Sequence, residues 1–99
     1  MEVLCINDTF SPDQLAFWAK HGVKHPIKDK IYHVSGMNRH TTGEISLYLS
    51  ELDGNPLVPI QHPILGVKMM KVGFNIKRFT TLMGAPIEYE KIKTSVPNE

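Results

Sequence analysis

The sequence predicts a mainly β protein, a small curled sheet with one short helix. Brief apolar or alternating segments, near residues 3–6, 31–34, 44–49 and 72–79, are separated by breaks rich in Gly and Pro. This pattern is typical of short strands joined by turns. One segment near the N-terminus carries the start and stop signals of a helix instead. With 99 residues, the chain is long enough for one domain with one modest core.

A short helix is predicted over about residues 12–21. Ser11 can cap its first turn, and Pro12 suits the first helical position. The helix can close at a glycine in the left-handed conformation. Because so short a helix is marginal alone, its apolar face should cover an open end or edge of the sheet. The residues spaced as that face are Leu15, Trp18, Ala19 and Gly22.

Three strands are predicted in the first half of the chain. Residues 3–6 are apolar and β-branched, which favours a buried strand. In residues 30–37, Tyr32 and Val34 share one face and their neighbours share the other. The clearest alternation follows Gly43 and predicts a half-buried antiparallel strand. Its inward residues are Ile45, Leu47 and Leu49.

A long Pro-rich loop is predicted over about residues 53–66. Prolines at 59 and 63 argue against a central strand. The segment is nevertheless too apolar for a solvated linker, so we expect an ordered loop that packs on the surface of the sheet. Residues 67–82 supply the remaining short strands, with Gly73 as a candidate bulge.

Charge and cysteine content argue against several classes of protein. Eleven basic and ten acidic side chains give a net charge of +1, which provides no general attraction to nucleic acid or anionic lipid. The one cysteine, Cys5, rules out an intramolecular disulfide framework and fits a reducing compartment. We expect a soluble, cytoplasmic protein without a membrane span, with one domain over residues 1–87 and a charged, flexible tail over 88–99.

Four groups of residues carry a resemblance to known proteins. They are residues 5–8, 30–32, 43–51 and 74–79. In this order they resemble a group of small uncharacterised bacterial proteins, often carried on mobile elements and prophages, that have an SH3-like β-barrel. The resemblance covers most of residues 2–82. It implies a small, partly open SH3-like β-barrel with no established reaction.

The sequence predicts no catalytic residues, no metal and no cofactor. Cys5 lies in an apolar strand, where a cysteine is usually a small buried hydrophobe. The seven glycines form no phosphate-binding motif. His21 and His25 have the spacing of two metal ligands on a helix, but Gly22 interrupts that helix. A histidine-based metalloprotein therefore remains only a second alternative.

The first functional hypothesis is a noncatalytic module that recognises a protein or peptide. Small barrels leave edges and grooves that accept an added strand or a proline-rich peptide. Phe17 and Trp18 are adjacent and cannot both face one core, so we expect one of them, Phe17 before Trp18, to be available to a partner. The predicted partner-binding residues are Phe17, Trp18, Tyr48 and Arg78.

Two other kinds of partner are left open. Single-stranded nucleic acid could bind a basic strip interleaved with Phe74 and Phe79, although both rings are expected in the core. A homodimer could form through a sheet edge, unless the prolines at 56, 59 and 63 block it. The predicted nucleic-acid-binding residues are Arg39, Lys68, Lys71, Lys77 and Arg78.

Overall fold

Seven strands and a ten-residue helix occur in residues 1–90 and 92, the part of the chain that a computed structural model describes. The elements are β1 (Glu2–Cys5), α1 (Pro12–His21), β2 (Ile31–Arg39), β3 (Ile45–Leu49), β4 (Val58–His62), β5 (Gly66–Met70), β6 (Phe74–Asn75) and β7 (Phe79–Thr80), with the 3-10 turns at Ser50–Leu52 and Ile76–Arg78.

Five of the strands form one antiparallel sheet in the order β6-β3-β2-β1-β7, and β4 and β5 form a separate ribbon. The predicted mainly β architecture with a short helix is therefore confirmed. Within the described residues, β6 and β7 are the outer strands and do not pair with each other, so the sheet is not closed into a barrel. No helix in this part of the chain is long and apolar enough to cross a membrane.

A bulge in β2 changes which of its residues face the core. Val34 pairs with Leu49 and Met37 pairs with Leu47, so two residues of β2 lie opposite Tyr48 alone. Before the bulge, the odd-numbered residues of β2 face away from the core. After the bulge, residue 38 faces away from it instead. The inward positions predicted for β2 and β3 are confirmed, since Tyr32, Val34, Leu47 and Leu49 are buried.

The predicted bounds and caps of α1 are confirmed. Ser11 Oγ accepts a hydrogen bond from the Gln14 backbone N–H at 3.1 Å, and Gly22 closes the helix at φ 71°. The helix covers an edge of the sheet, because Trp18 packs against Phe74 of the outer strand β6 with ring centroids 5.5 Å apart.

The prediction of which face of α1 packs on the core is wrong, because the helix is rotated about its axis relative to that prediction. Leu15 is 38% exposed, whereas Trp18 and the half-buried Phe17 both pack on the core. The reason is the position of the partner rings: Phe10 lies 4.8 Å and His25 lies 6.0 Å from the Trp18 ring. These contacts fix the position of the indole. With the indole in that position, the side of the helix that carries Phe17 packs on the core.

The prediction of a loop over residues 53–66 is wrong for residues 58–62. They form β4, which pairs with β5 in a hairpin from Val58–Met70 to His62–Gly66. In a two-stranded ribbon each strand keeps an unpaired edge, where Pro59 needs no N–H. The turn closes through Gly66 at φ 77°, as is usual for a three-residue hairpin loop.

Asn55 fastens the base of this hairpin to the body of the protein. Its Oδ1 accepts a hydrogen bond from the Lys24 N–H at 2.9 Å, and its Nδ2 donates one to the Lys24 carbonyl at 2.8 Å. Val58, the first residue of β4, is buried in the main core. The remainder of the ribbon projects from this attachment.

The C-terminal part contributes to the core through Ile92, which is fully buried. Tyr89 also packs against the core. Ile92 lies within the segment predicted to be a flexible tail. Residues 91 and 93–99 of that predicted tail lie outside the described residues.

Gly73 occupies a position with no room for a side chain. A Cβ there would lie 3.0 Å from Ser46 Cβ and 3.1 Å from Tyr48 Cε1. We expect Gly73→Ala to lower the free energy of unfolding by about 1–3 kcal/mol, because the packed side chains must move. Gly54→Ala is the matched control, since nothing lies within 4 Å of its Cβ position. Urea denaturation would compare them, and equal stabilities would contradict this steric account.

Glu51 joins a 3-10 turn to β2 through His33. Its Oε1 accepts the His33 backbone N–H at 2.8 Å, and its Oε2 lies 2.5 Å from His33 Nδ1. Burial raises the pKa of the Glu51 carboxyl, but the hydrogen bonds from the His33 ring and backbone outweigh it, and the pKa is lowered overall.

A lowered pKa in the folded state makes the Glu51 contribution dependent on pH. The carboxylate stabilises the fold above the pKa it has when unfolded, about 4.3, and the contribution is lost as pH falls through the lower folded pKa. We expect the difference in Tm between the wild type and Glu51→Gln to shrink on acidification below about pH 4. A difference that stays constant across this pH range would contradict the linkage.

Candidate partner-binding groove

A groove of about 580 Å³ lies between α1, the outer side of β2 and β3, and the β4–β5 hairpin. The bulge in β2 creates one of its sides, because it turns Asn38 away from the core to stand beside Ser46 of β3. The helix contributes Phe17 and Gln14, and the hairpin contributes Pro59, Ile60 and Met70. We call this surface the hairpin groove.

The floor of the hairpin groove is Tyr48 packed over Gly73. Tyr48 is only 7% exposed, so a partner in the groove could contact only a small part of this residue. Lys71 Nζ lies 4.6 Å from the centroid of this ring and 3.7 Å from Asp53 Oδ1. A cation held over an aromatic ring adds a positive charge beside an apolar surface.

The two adjacent aromatic residues of the helical wall differ in exposure, although both line the groove. Trp18 is 7% exposed and belongs to the core, whereas Phe17 is half-buried and lines the groove. The Phe17 ring contacts the His21 ring with centroids 4.5 Å apart. On the opposite rim, His40 Nε2 lies 2.9 Å from Ser46 Oγ.

The hairpin wall carries large apolar side chains that the core does not cover. Ile60 lines the groove from β4, whereas Val67 and Met69 of β5 lie outside it. The exposed large apolar residues of the hairpin and its approach are Leu57, Ile60, Ile64, Leu65, Val67 and Met69. An exposed apolar set of this size on one element is typical of an interaction surface.

Arg78, a predicted partner-binding residue, is engaged within the fold. Its Nη1 donates hydrogen bonds to the Thr9 carbonyl at 2.8 Å and to the Asn7 carbonyl at 3.3 Å. Its guanidinium lies 3.9 Å from the centroid of the Phe10 ring. These contacts hold the segment between β1 and α1 against the sheet.

The predicted basic strip is divided among separate partners. Arg39 lies over the Tyr89 ring at 5.3 Å, while Lys71 lies over Tyr48. Phe74 and Phe79 are buried in the core, as expected, and present no rings on which bases could stack. Lys68 and Lys77 are exposed.

The histidines and the cysteine form no metal cluster within residues 1–90 and 92. His21 contacts Phe17, whereas His25 Nδ1 lies 2.8 Å from the Pro26 carbonyl. Cys5 is completely buried, as predicted, and burial raises the pKa of its thiol.

Sequence reasoning missed the hairpin, which supplies one wall of the groove. The available signal was two apolar runs flanking Pro63 and Gly66, a spacing that fits a three-residue hairpin loop. Gln14 was missed as well, because the helix face was assigned to Leu15. No protein-family model, curated protein or solved structure matches this chain.

Proposed function

We propose that the protein is a noncatalytic binding module, an SH3-like and partly open barrel in architecture, that recognises a protein or peptide in the hairpin groove. The observation that carries this proposal is the groove itself: the half-buried Phe17 of the helix and the hairpin residues Ile60 and Met70 line one cavity together with Tyr48. Partially buried aromatic anchors beside a polar rim are typical of peptide-binding surfaces.

Phe17→Ser tests this proposal, with Leu15→Ser as its matched control on the same helix. Both side chains are apolar, but Leu15 points away from the groove. A photoreactive side chain at Gln14, on the helical wall of the groove, would identify the partner by crosslinking. We expect Phe17→Ser to weaken binding of that purified partner by at least about tenfold, and Leu15→Ser to leave it unchanged.

Tyr48 is unsuited to such a test, because removal of its ring would leave a gap next to Gly73 in the floor of the groove. Circular dichroism of the Phe17→Ser and Leu15→Ser proteins would establish that both retain the fold. Unchanged affinity of Phe17→Ser, with the fold intact, would contradict the proposal.

Binding of single-stranded nucleic acid stays an alternative prediction. It has less support, because Arg39, Lys71 and Arg78 are each engaged by separate groups in the fold. Binding through these cations would weaken steeply with salt. Fluorescence anisotropy with a labelled single strand at low salt would measure it, and no change in anisotropy would end this alternative.

A further inference from the structure

The outer edge of β5 offers hydrogen-bonding groups at known positions. Pro59 pairs with Met69 and has no N–H, so these two residues cannot exchange the two bonds of a hydrogen-bonded pair. Because the two kinds of pair alternate along an antiparallel ladder, Gln61–Val67 is also a non-hydrogen-bonded pair. The N–H and C=O groups of Val67 and Met69 therefore point away from β4.

The two edges of the ribbon are unequal. On β4, Pro59 occupies an outward position, and Pro63 follows at the next but one odd-numbered position. The outer edge of β4 therefore lacks an N–H donor at residues 59 and 63. On β5, no proline interrupts residues 66–70, and both outward N–H groups are present. Within the described residues, no further strand pairs with β5. An added strand would therefore bind β5 and not β4.

Charge indicates what kind of strand fits this edge. The chain has no Asp or Glu from residue 54 to residue 87, whereas Lys68 lies at the middle of β5. Lys68 is exposed and makes no ion pair with the described residues. An acidic side chain opposite Lys68 would be favoured, because opposite charges stabilise cross-strand pairs.

A second copy of the same strand fits less well. A two-fold axis that paired Val67 with Met69 of another copy would place Lys68 directly opposite Lys68. Like charges in that position are destabilising. The apolar side chains of Val67 and Met69, 65% and 54% exposed, lie on the other face of the ribbon, where an apolar residue of the added strand would cover them.

We infer that the outer edge of β5 accepts one extended strand of a partner protein, in which acidic residues face Lys68 and apolar residues cover Val67 and Met69. This inference rests on the proposed function and specifies the partner: an acidic, alternating segment that extends the β4–β5 ribbon to three strands. A two-stranded ribbon is marginally stable alone, so a third strand would also rigidify the wall of the hairpin groove.

Two synthetic peptides test the charge of the partner. Both have the same alternating valine and threonine framework with blocked ends, and one carries glutamates where the other carries lysines. Titration into the ¹⁵N-labelled protein should show the acidic peptide binding at least about tenfold more tightly, with shifts at the amides of residues 66–70. Lys68→Glu should reverse the preference. Equal affinities for the two peptides would overturn the inference.

Val67→Pro and Gln61→Pro test the edge. These residues are cross-strand partners, and each substitution removes an outward N–H without touching the bonds between β4 and β5. Val67→Pro should lower the affinity of the protein for the acidic peptide by at least about tenfold, whereas Gln61→Pro should leave this affinity unchanged. Equal effects of the two variants, or no effect of Val67→Pro, would overturn the inference.

Two further outcomes separate this inference from its alternatives. A dimer in the absence of peptide that Val67→Pro abolishes, measured by sedimentation, would assign the edge to a second copy instead. A partner whose binding is lost in Phe17→Ser but retained in Val67→Pro would leave the hairpin groove as the binding site and overturn only the role of the β5 edge.

Discussion

Trp18→Ala is expected to lower the free energy of unfolding by about 3–5 kcal/mol, the range for removing a buried aromatic side chain. The indole is held by Phe10 and Phe74 in edge-to-face contacts, and His25 stacks against it. Domains of this size have a total stability of about 5–15 kcal/mol, so the loss would take much of the available stability. It would also detach α1 from β6 and remove one wall of the hairpin groove.

Circular dichroism during urea denaturation would measure this effect. Fluorescence is unsuitable for the comparison, because Trp18 is the one tryptophan of the chain. Leu15→Ala on the same helix is the control, and an exposed position should change stability by no more than about 0.5 kcal/mol. If both variants lost the same stability, helix propensity and not the aromatic cluster would account for the result.

Arg78→Ala is expected to lower the free energy of unfolding by about 1.5–3 kcal/mol, the range for hydrogen bonds made by a charged group. Its guanidinium binds the carbonyls of Asn7 and Thr9 and covers the Phe10 ring, which in turn contacts Trp18. We expect Arg78→Lys to recover little of the loss, because an ammonium lacks the planar fork that bonds several acceptors while stacking on a ring.

Lys77→Ala provides the control for the removal of charge. Lys77 is the neighbouring exposed cation, so its loss should leave the urea midpoint nearly unchanged. Hydrogen exchange at residues 7–10 should accelerate in Arg78→Ala and not in Lys77→Ala. A stable Arg78→Ala protein with normal protection of this segment would contradict this structural role of Arg78.

Local signals predicted the parts of the fold that local chemistry determines. The caps of α1 at Ser11 and Gly22 and the inward residues of β3 follow from hydrogen-bonding capacity and alternation, which nearby residues set. The face of α1 could not be read in this way. Leu15 has apolar residues three and four positions away and Phe17 has none, so the local pattern favours Leu15. The observed face depends instead on rings outside the helix, Phe10 and Phe74, that hold Trp18.

The candidate site was less predictable for a related reason. Phe17 was recognised from the impossibility of burying two adjacent aromatic residues equally, but the role of Arg78 depends on contacts with Asn7 and Thr9 across about 70 positions of sequence. Pro59 suggested a loop because proline disfavours a central strand. The same residue is compatible with a ribbon that has two outer edges, an arrangement visible only in three dimensions.

The extra residue in β2 divides this strand into two stretches with opposite constraints. Before the bulge, charged substitutions should destabilise the fold at the even positions 32 and 34. After the bulge, they should do so at the odd position 37, whose side chain is fully buried. Deletion of Ser35 would leave Gly36 alone opposite Tyr48 and Met37 still opposite Leu47, so it would remove the bulge without moving Met37 out of the core. This strand should therefore tolerate the loss of one residue at the bulge, whereas deletion of His33 would place Tyr32 and Val34 on opposite faces of the sheet.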